Sequence, residues 1–141
     1  MKKIFPTDKK TNFLVADDVR QEASGKAIII GYYSGENVVF SLSKDIEINE
    51  QHPMAYPSLC FLWVFTDGEG EFSINTSITY PDGSIHNALT KTINKKRDGA
   101  ANLLIKLSPF VTHIFGEFEC CVNLGDGHQY KRKFYILNKA Q

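Results

Sequence analysis

Apolar residues recur in this chain at every second position rather than every third or fourth. Residues 71–80 show it most plainly. Phe72, Ile74, Thr76, Ile78 and Tyr80 fall on one side, and Ser73, Asn75, Ser77 and Thr79 on the other. That alternation predicts a strand with one buried and one wet face. Pro81-Asp82-Gly83-Ser84 predicts a hairpin turn, since Pro presets φ and Gly accepts a positive φ. The return strand carries Ile85, Asn87, Leu89 and Ile93. A later pair repeats the design. Phe118, Cys120, Val122 and Leu124 point inward, Gly125-Asp126-Gly127 turns the chain, and Tyr130, Phe134 and Ile136 point inward on the way back. Arg132 shares that inward phase, so it is expected at an edge or with its charge snorkelled to water.

The opening stretch, residues 12–33, reads as two strands around a polar bend. Phe13, Val15, Asp17 and Val19 share one phase; Leu14, Ala16, Asp18 and Arg20 share the other. In the second strand, Ile28, Ile29 and Ile30 predict burial on both faces. Gly31 within it predicts a bulge or a close backbone approach. Residues 38–40 form a short strand, and Ile46 and Ile48 a weak edge strand. Residues 50–57, broken by Pro53 and Pro57, read as a loop. Residues 58–66 are the most apolar run and predict a central strand. Leu103, Ile105 and Leu107 mark another strand, with a bend at Pro109.

The sum is eight or nine short strands with no amphipathic helix. It predicts an all-β fold, an antiparallel β-sandwich of immunoglobulin-like or C2-like type, over residues 12–141. Residues 1–11, with Lys2, Lys3, Lys9, Lys10 and the Pro6 break, are expected to be a flexible basic arm.

Asp17, Asp18, Val19, Arg20, Glu22, Gly25, Lys26, Gly31 and Tyr33 resemble the opening of a family of small uncharacterised bacterial proteins. Those proteins begin D-D-[VI]-R-x-E-x-x-G-K, followed by a hydrophobic strand and G-x-Y. The match covers roughly the first quarter of the chain, and Ser24 departs from it by standing where the family has Gly. The resemblance implies a compact β domain and transfers no catalytic residue. The stretch G-E-F-x-C-x-V-x-L-G-D-G, residues 116–127, is similar to the penultimate hairpin of immunoglobulin-like sandwiches. There Phe118 replaces the corner Tyr of those domains.

Composition narrows the function. The chain has 141 residues, a formal net charge of zero and 43% hydrophobic residues. It is long enough for one real core and too apolar for disorder. Zero net charge argues against a globally basic nucleic-acid binder. Charge is nonetheless uneven: Glu36, Asp45, Glu47, Glu50, Asp67, Glu69, Glu71 and Asp82 face only Lys44 within residues 36–82, and bases dominate afterwards. The N-terminal segment has no apolar signal region, no run is long enough to span a bilayer, and three cysteines without a C-x-x-C pair fit a reducing compartment. A cytoplasmic protein without membrane contact is expected.

Candidate chemistry is sparse. Asp17 and Asp18, with Arg20 and Lys26, are the one polar cluster on an apolar strand. Paired carboxylates can hold a cation or work as acid and base. Neighbours in a strand face opposite sides, however, so the simpler reading gives one Asp to turn or strand-end N–H groups and pairs the other with Arg20 or Lys26. Lys91, Lys95, Lys96 and Arg97, together with Lys131, Arg132 and Lys133, would form a nucleic-acid surface if they were adjacent. The competing reading is a lysine-blunted sheet edge. Asp67, Glu69, Asp82 and Asp126 lie in turns that alternate between the two ends of a sheet. No phosphate loop, nucleophile elbow or zinc spacing occurs, and no catalytic residue, metal or cofactor is assigned. The expectation is a non-enzymatic binding or scaffold module acting through loops and sheet edges, with self-association or a protein partner. Nucleic-acid or nucleotide binding and a small metal-dependent hydrolase are the alternatives.

Overall fold

A computed structural model describes residues 3–42 and 45–139. Lys2 and Lys44 lie outside the described residues. Strands are β1 (Thr11–Gln21), β2 (Ala27–Tyr32), β3 (Asn37–Phe40), β4 (Met54–Tyr56), β5 (Leu59–Phe65), β6 (Gly70–Thr79), β7 (Ile85–Lys95), β8 (Ala101–Leu107), β9 (Phe110–Thr112), β10 (Gly116–Asn123) and β11 (Gln129–Asn138). The fold is all-β: two sheets face one another across a common core. One has the order β2-β1-β5-β8 and the other β3-β11-β10-β6-β7, while β4 and β9 form a separate ribbon. All pairs are antiparallel except β3 with β11. No helix of the described chain is long and apolar enough to cross a membrane.

The core follows the alternation. Phe61, Trp63 and Phe65 of β5 meet Phe72 and Ile74 of β6, Phe118 and Val122 of β10, and Phe134 and Ile136 of β11. Burying one such side chain contributes about 1.5–3 kcal/mol, so this layer dominates the stability. The Trp63 indole N–H donates to Cys120 Sγ at 3.4 Å across the core, giving a fully buried donor its partner. On β6, Thr76 interrupts the apolar row at a bulge in the β6–β7 register. Its hydroxyl accepts from the Leu89 N–H at 2.8 Å and donates to the Leu89 carbonyl at 3.0 Å.

Several expectations need correction. Residues 46–48 are not a strand, and Ile46 is exposed. The segment 54–56, read as loop, is β4. From Ile4 onward the segment expected to be a flexible arm is docked. Ile4 exchanges two 2.8 Å backbone hydrogen bonds with Glu69, and Phe5 stacks on His128 at 3.7 Å and 7°. Tyr130 donates to the Pro6 carbonyl at 2.6 Å. Ile28, Ile29 and Ile30 are not buried on both faces, because β2 is an edge strand. Their β-branched side chains select a strand, but the sheet's interior place next to β1 is taken by β5.

Candidate functional site

Asp17 and Asp18 diverge, as the pleat requires. Asp17 accepts hydrogen bonds from the Tyr33 and Tyr56 hydroxyls, and those two hydroxyls also meet each other. The cluster ties β1 to the end of β2 and to β4. Burial first, then the bond to Asp17, pushes the Tyr33 phenol far up. Gly31 lies across from Asp17 with φ +67°, leaving the carboxylate room that a side chain would fill. Asp18 points to the other face. It accepts from Lys106 Nζ at 2.8 Å, Arg20 Nε at 3.3 Å and its neighbour's N–H (Val19) at 3.0 Å. Lys106, more than any other partner, holds the Asp18 carboxyl below the usual carboxylate range. Lys26 joins neither cluster; its carbonyl accepts from the Glu22 N–H at 2.8 Å. Tyr56 and Lys106 had no local signal, and Tyr33 was marked only by its place in the opening motif; each reaches the aspartates through tertiary contact.

The basic segments are not one patch. Lys91 and Lys95 belong to β7 and Lys131, Arg132 and Lys133 to β11, with β10 and β6 between them. At ~4.8 Å per strand that is about 14 Å. Lys95 is buried, and its ammonium donates to the carbonyls of Gly68 and Lys96. Its place two residues after Ile93 was the signal of an inward phase. Lys96 and Arg97 follow the strand, and Arg97 pairs with Glu69 at 3.5 Å. Arg132 lies over the Trp63 ring, 5.5 Å from its centre. Its guanidinium donates to Asp8 and to the Thr11 carbonyl at 3.0 Å, which is the snorkelled placement its phase implies. Lys133 pairs with Glu117 at 3.4 Å. The groove beside Lys131 and Lys133 also contains Glu36 and Glu119, so carboxylates interrupt the positive charge.

Among the described residues, no three His, Cys, Asp or Glu side chains come together to hold a metal. Asp67 instead accepts the Thr7 N–H at 2.8 Å, and Asp82 the Ser84 N–H at 2.9 Å.

The feature the sequence pattern concealed is the outer face of the four-stranded sheet. A second apolar cluster of buried residues, Ala16, Val19, Cys60 and Leu62, is built on this sheet with the partly buried Leu14, Ala27, Val64 and Leu104 packed on it; Ala16, Cys60 and Leu62 share the outward phase. Every member comes from that one sheet, so among the described residues no second layer supplies the cluster with apolar side chains. Beside it runs the β2 edge, where Ile28, Ile29, Ile30 and Tyr32 are 41–54% exposed. Ile30 is opposite Asp18 and Tyr32 opposite Ala16, which places both on the cluster's face. The four central members of the cluster are themselves buried, so the exposed apolar surface here is the β2 edge, and an apolar surface left open in this way marks an interaction site. No protein-family model and no curated protein sequence matches the chain.

Proposed function

We propose that the protein is a non-catalytic binding module whose partner is a second copy of itself, docked along the β2 edge and the outer face of the four-stranded sheet. The observation that carries this reading is the row of exposed isoleucines on an edge strand, paired with β1 on one side only. Edges are ordinarily blunted by Lys, Pro or a covering element; from Ala27 to Tyr32 there is neither Lys nor Pro. An antiparallel pairing of β2 with its copy satisfies both free edges under twofold symmetry. The same face carries Asp18 beside Arg20 and Lys106, so it offers both charges to a symmetric mate. The zero net charge does not oppose association.

Light scattering coupled to gel filtration, over a concentration series, tests the reading. A dimer is expected for the native chain and a folded monomer for the Ile28→Lys, Ile30→Lys double variant. A native chain that stays monomeric at every concentration, or a dimer unaffected by the two lysines, would sink the proposal. Co-purified nucleic acid released steeply by salt would favour the basic segments instead.

A further inference from the structure

At the end of the sandwich holding the β6–β7 turn, a cleft of about 460 Å³ opens between that hairpin and the segment around β9. Its size falls in the range of about 300–1,000 Å³ typical of small-molecule sites. The floor is apolar and fixed. The Tyr80 hydroxyl donates to the Val111 carbonyl at 3.0 Å, and the Tyr80 ring stacks on Phe110 at 5.8 Å and 19°. Ile78 and Pro109 extend this surface. Because these groups are already anchored, little ordering is left for binding to oppose.

The permanent charges of the lining are both acidic. Glu50 and Asp82 contribute carboxylates and His86 and His113 imidazoles; none of the described residues lining the cleft is Lys or Arg. Asp82 Oδ1 accepts from the Ser84 hydroxyl at 2.6 Å, and that hydroxyl lies 3.3 Å from His86 Nε2. These bonds from Ser84, with a smaller contribution from His113, hold the Asp82 carboxyl below the usual range, so it is charged at neutral pH. An anion entering here meets two carboxylates and no fixed cation. A flat apolar body carrying a positive group meets an aromatic floor and two counter-charges.

We propose that this cleft binds a small organic cation, an ammonium or amidinium group on a flat apolar body. The site lies apart from the β2 edge and does not depend on the self-association reading.

The test is a two-dimensional amide NMR titration of the full chain with phenethylamine and, separately, phenylacetate, which have similar bodies and opposite charge. Phenethylamine should shift the amides of residues 82–88 and 107–114 saturably, and phenylacetate should leave them in place. Glu50→Gln and Asp82→Asn should each weaken phenethylamine about two- to fivefold; Asn keeps an oxygen acceptor for Ser84. Equal response to both probes, or none to either, overturns the proposal. So does native affinity in the double variant with its spectrum otherwise intact.

Discussion

Asp17 and Gly31 face each other across the β1–β2 ladder, and the Asp17 carboxylate stands where a side chain at residue 31 would begin. Gly31→Ala therefore meets two penalties: a positive φ, costing about 1–2 kcal/mol, and displacement of the carboxylate that holds Tyr33 and Tyr56. Denaturant unfolding should give a loss of about 2–4 kcal/mol for the two together. Gly25→Ala is the control. Its φ is also positive but the space beside it is open, so only the conformational part, about 1 kcal/mol, should be lost. Equal losses at both sites would contradict the role given to Asp17.

Alkaline pH should unfold the protein early. Burial pushes the Cys120 thiol and the Tyr130 phenol up, each to about 12, and it raises Tyr33, Tyr56 and Tyr80 as well. In every case the fold favours the protonated form. The stability linked to these groups is complete below their unfolded values, near 9.0 for the thiol and 10.0 for the phenols. It is lost as pH rises through the folded values. Melting temperature should hold steady from neutrality to about pH 9 and fall steadily beyond it. A flat profile up to pH ~12 would refute the burial of these groups.

The two adjacent cysteines should behave oppositely. Cys120 is buried and accepts the Trp63 N–H, whereas Cys121 is partly open on the far side of β10. Cys120→Ala should cost about 2–3 kcal/mol, combining a small cavity with an orphaned indole donor. Cys121→Ala should stay within about 0.5 kcal/mol. Thiol labelling of the native protein should modify Cys121 first, with Cys60 and Cys120 reacting only on unfolding. Fast native labelling of Cys120 would contradict this order.

Phe5→Ala should destabilise the whole domain. Phe5 packs 5.2 Å from Phe72 and 3.7 Å from His128, ring centre to ring centre. A loss of about 1.5–3 kcal/mol is expected, read as a fall of roughly 4–10 °C in Tm. An unchanged Tm would mean that the docked segment adds nothing to stability.

Local pattern made β6, β10 and β11 legible, because each alternates cleanly and is flanked by Gly-containing turns. It failed where sheet position matters. Ile28, Ile29 and Ile30 identify a strand, but whether that strand lies inside or at an edge depends on β5, which pairs with β1 from more than forty residues away. β4 spans three residues between prolines, too short to show a period. At the polar cluster the sequence supplied the divergence of Asp17 and Asp18 and offered Arg20 or Lys26 as a partner for one of them, without saying which; Arg20 and a backbone N–H both go to Asp18. It did not show that Tyr33, Tyr56 and Lys106 reach these aspartates, an approach set by how the strands assemble. Lys95 was misplaced on a surface because its charge outweighed its period-two relation to Ile93.

The parallel pairing of β3 with β11 has a consequence for synthesis. β11 is inserted between β3 and β10, so both of those strands wait for residues 129–138 to leave the ribosome. Until then the nascent chain carries two unfilled edges facing a gap one strand wide, with Phe118 and Cys120 lining it. β11 thus closes the second sheet, and a chain stalled just before it would be the species that chaperones need to hold.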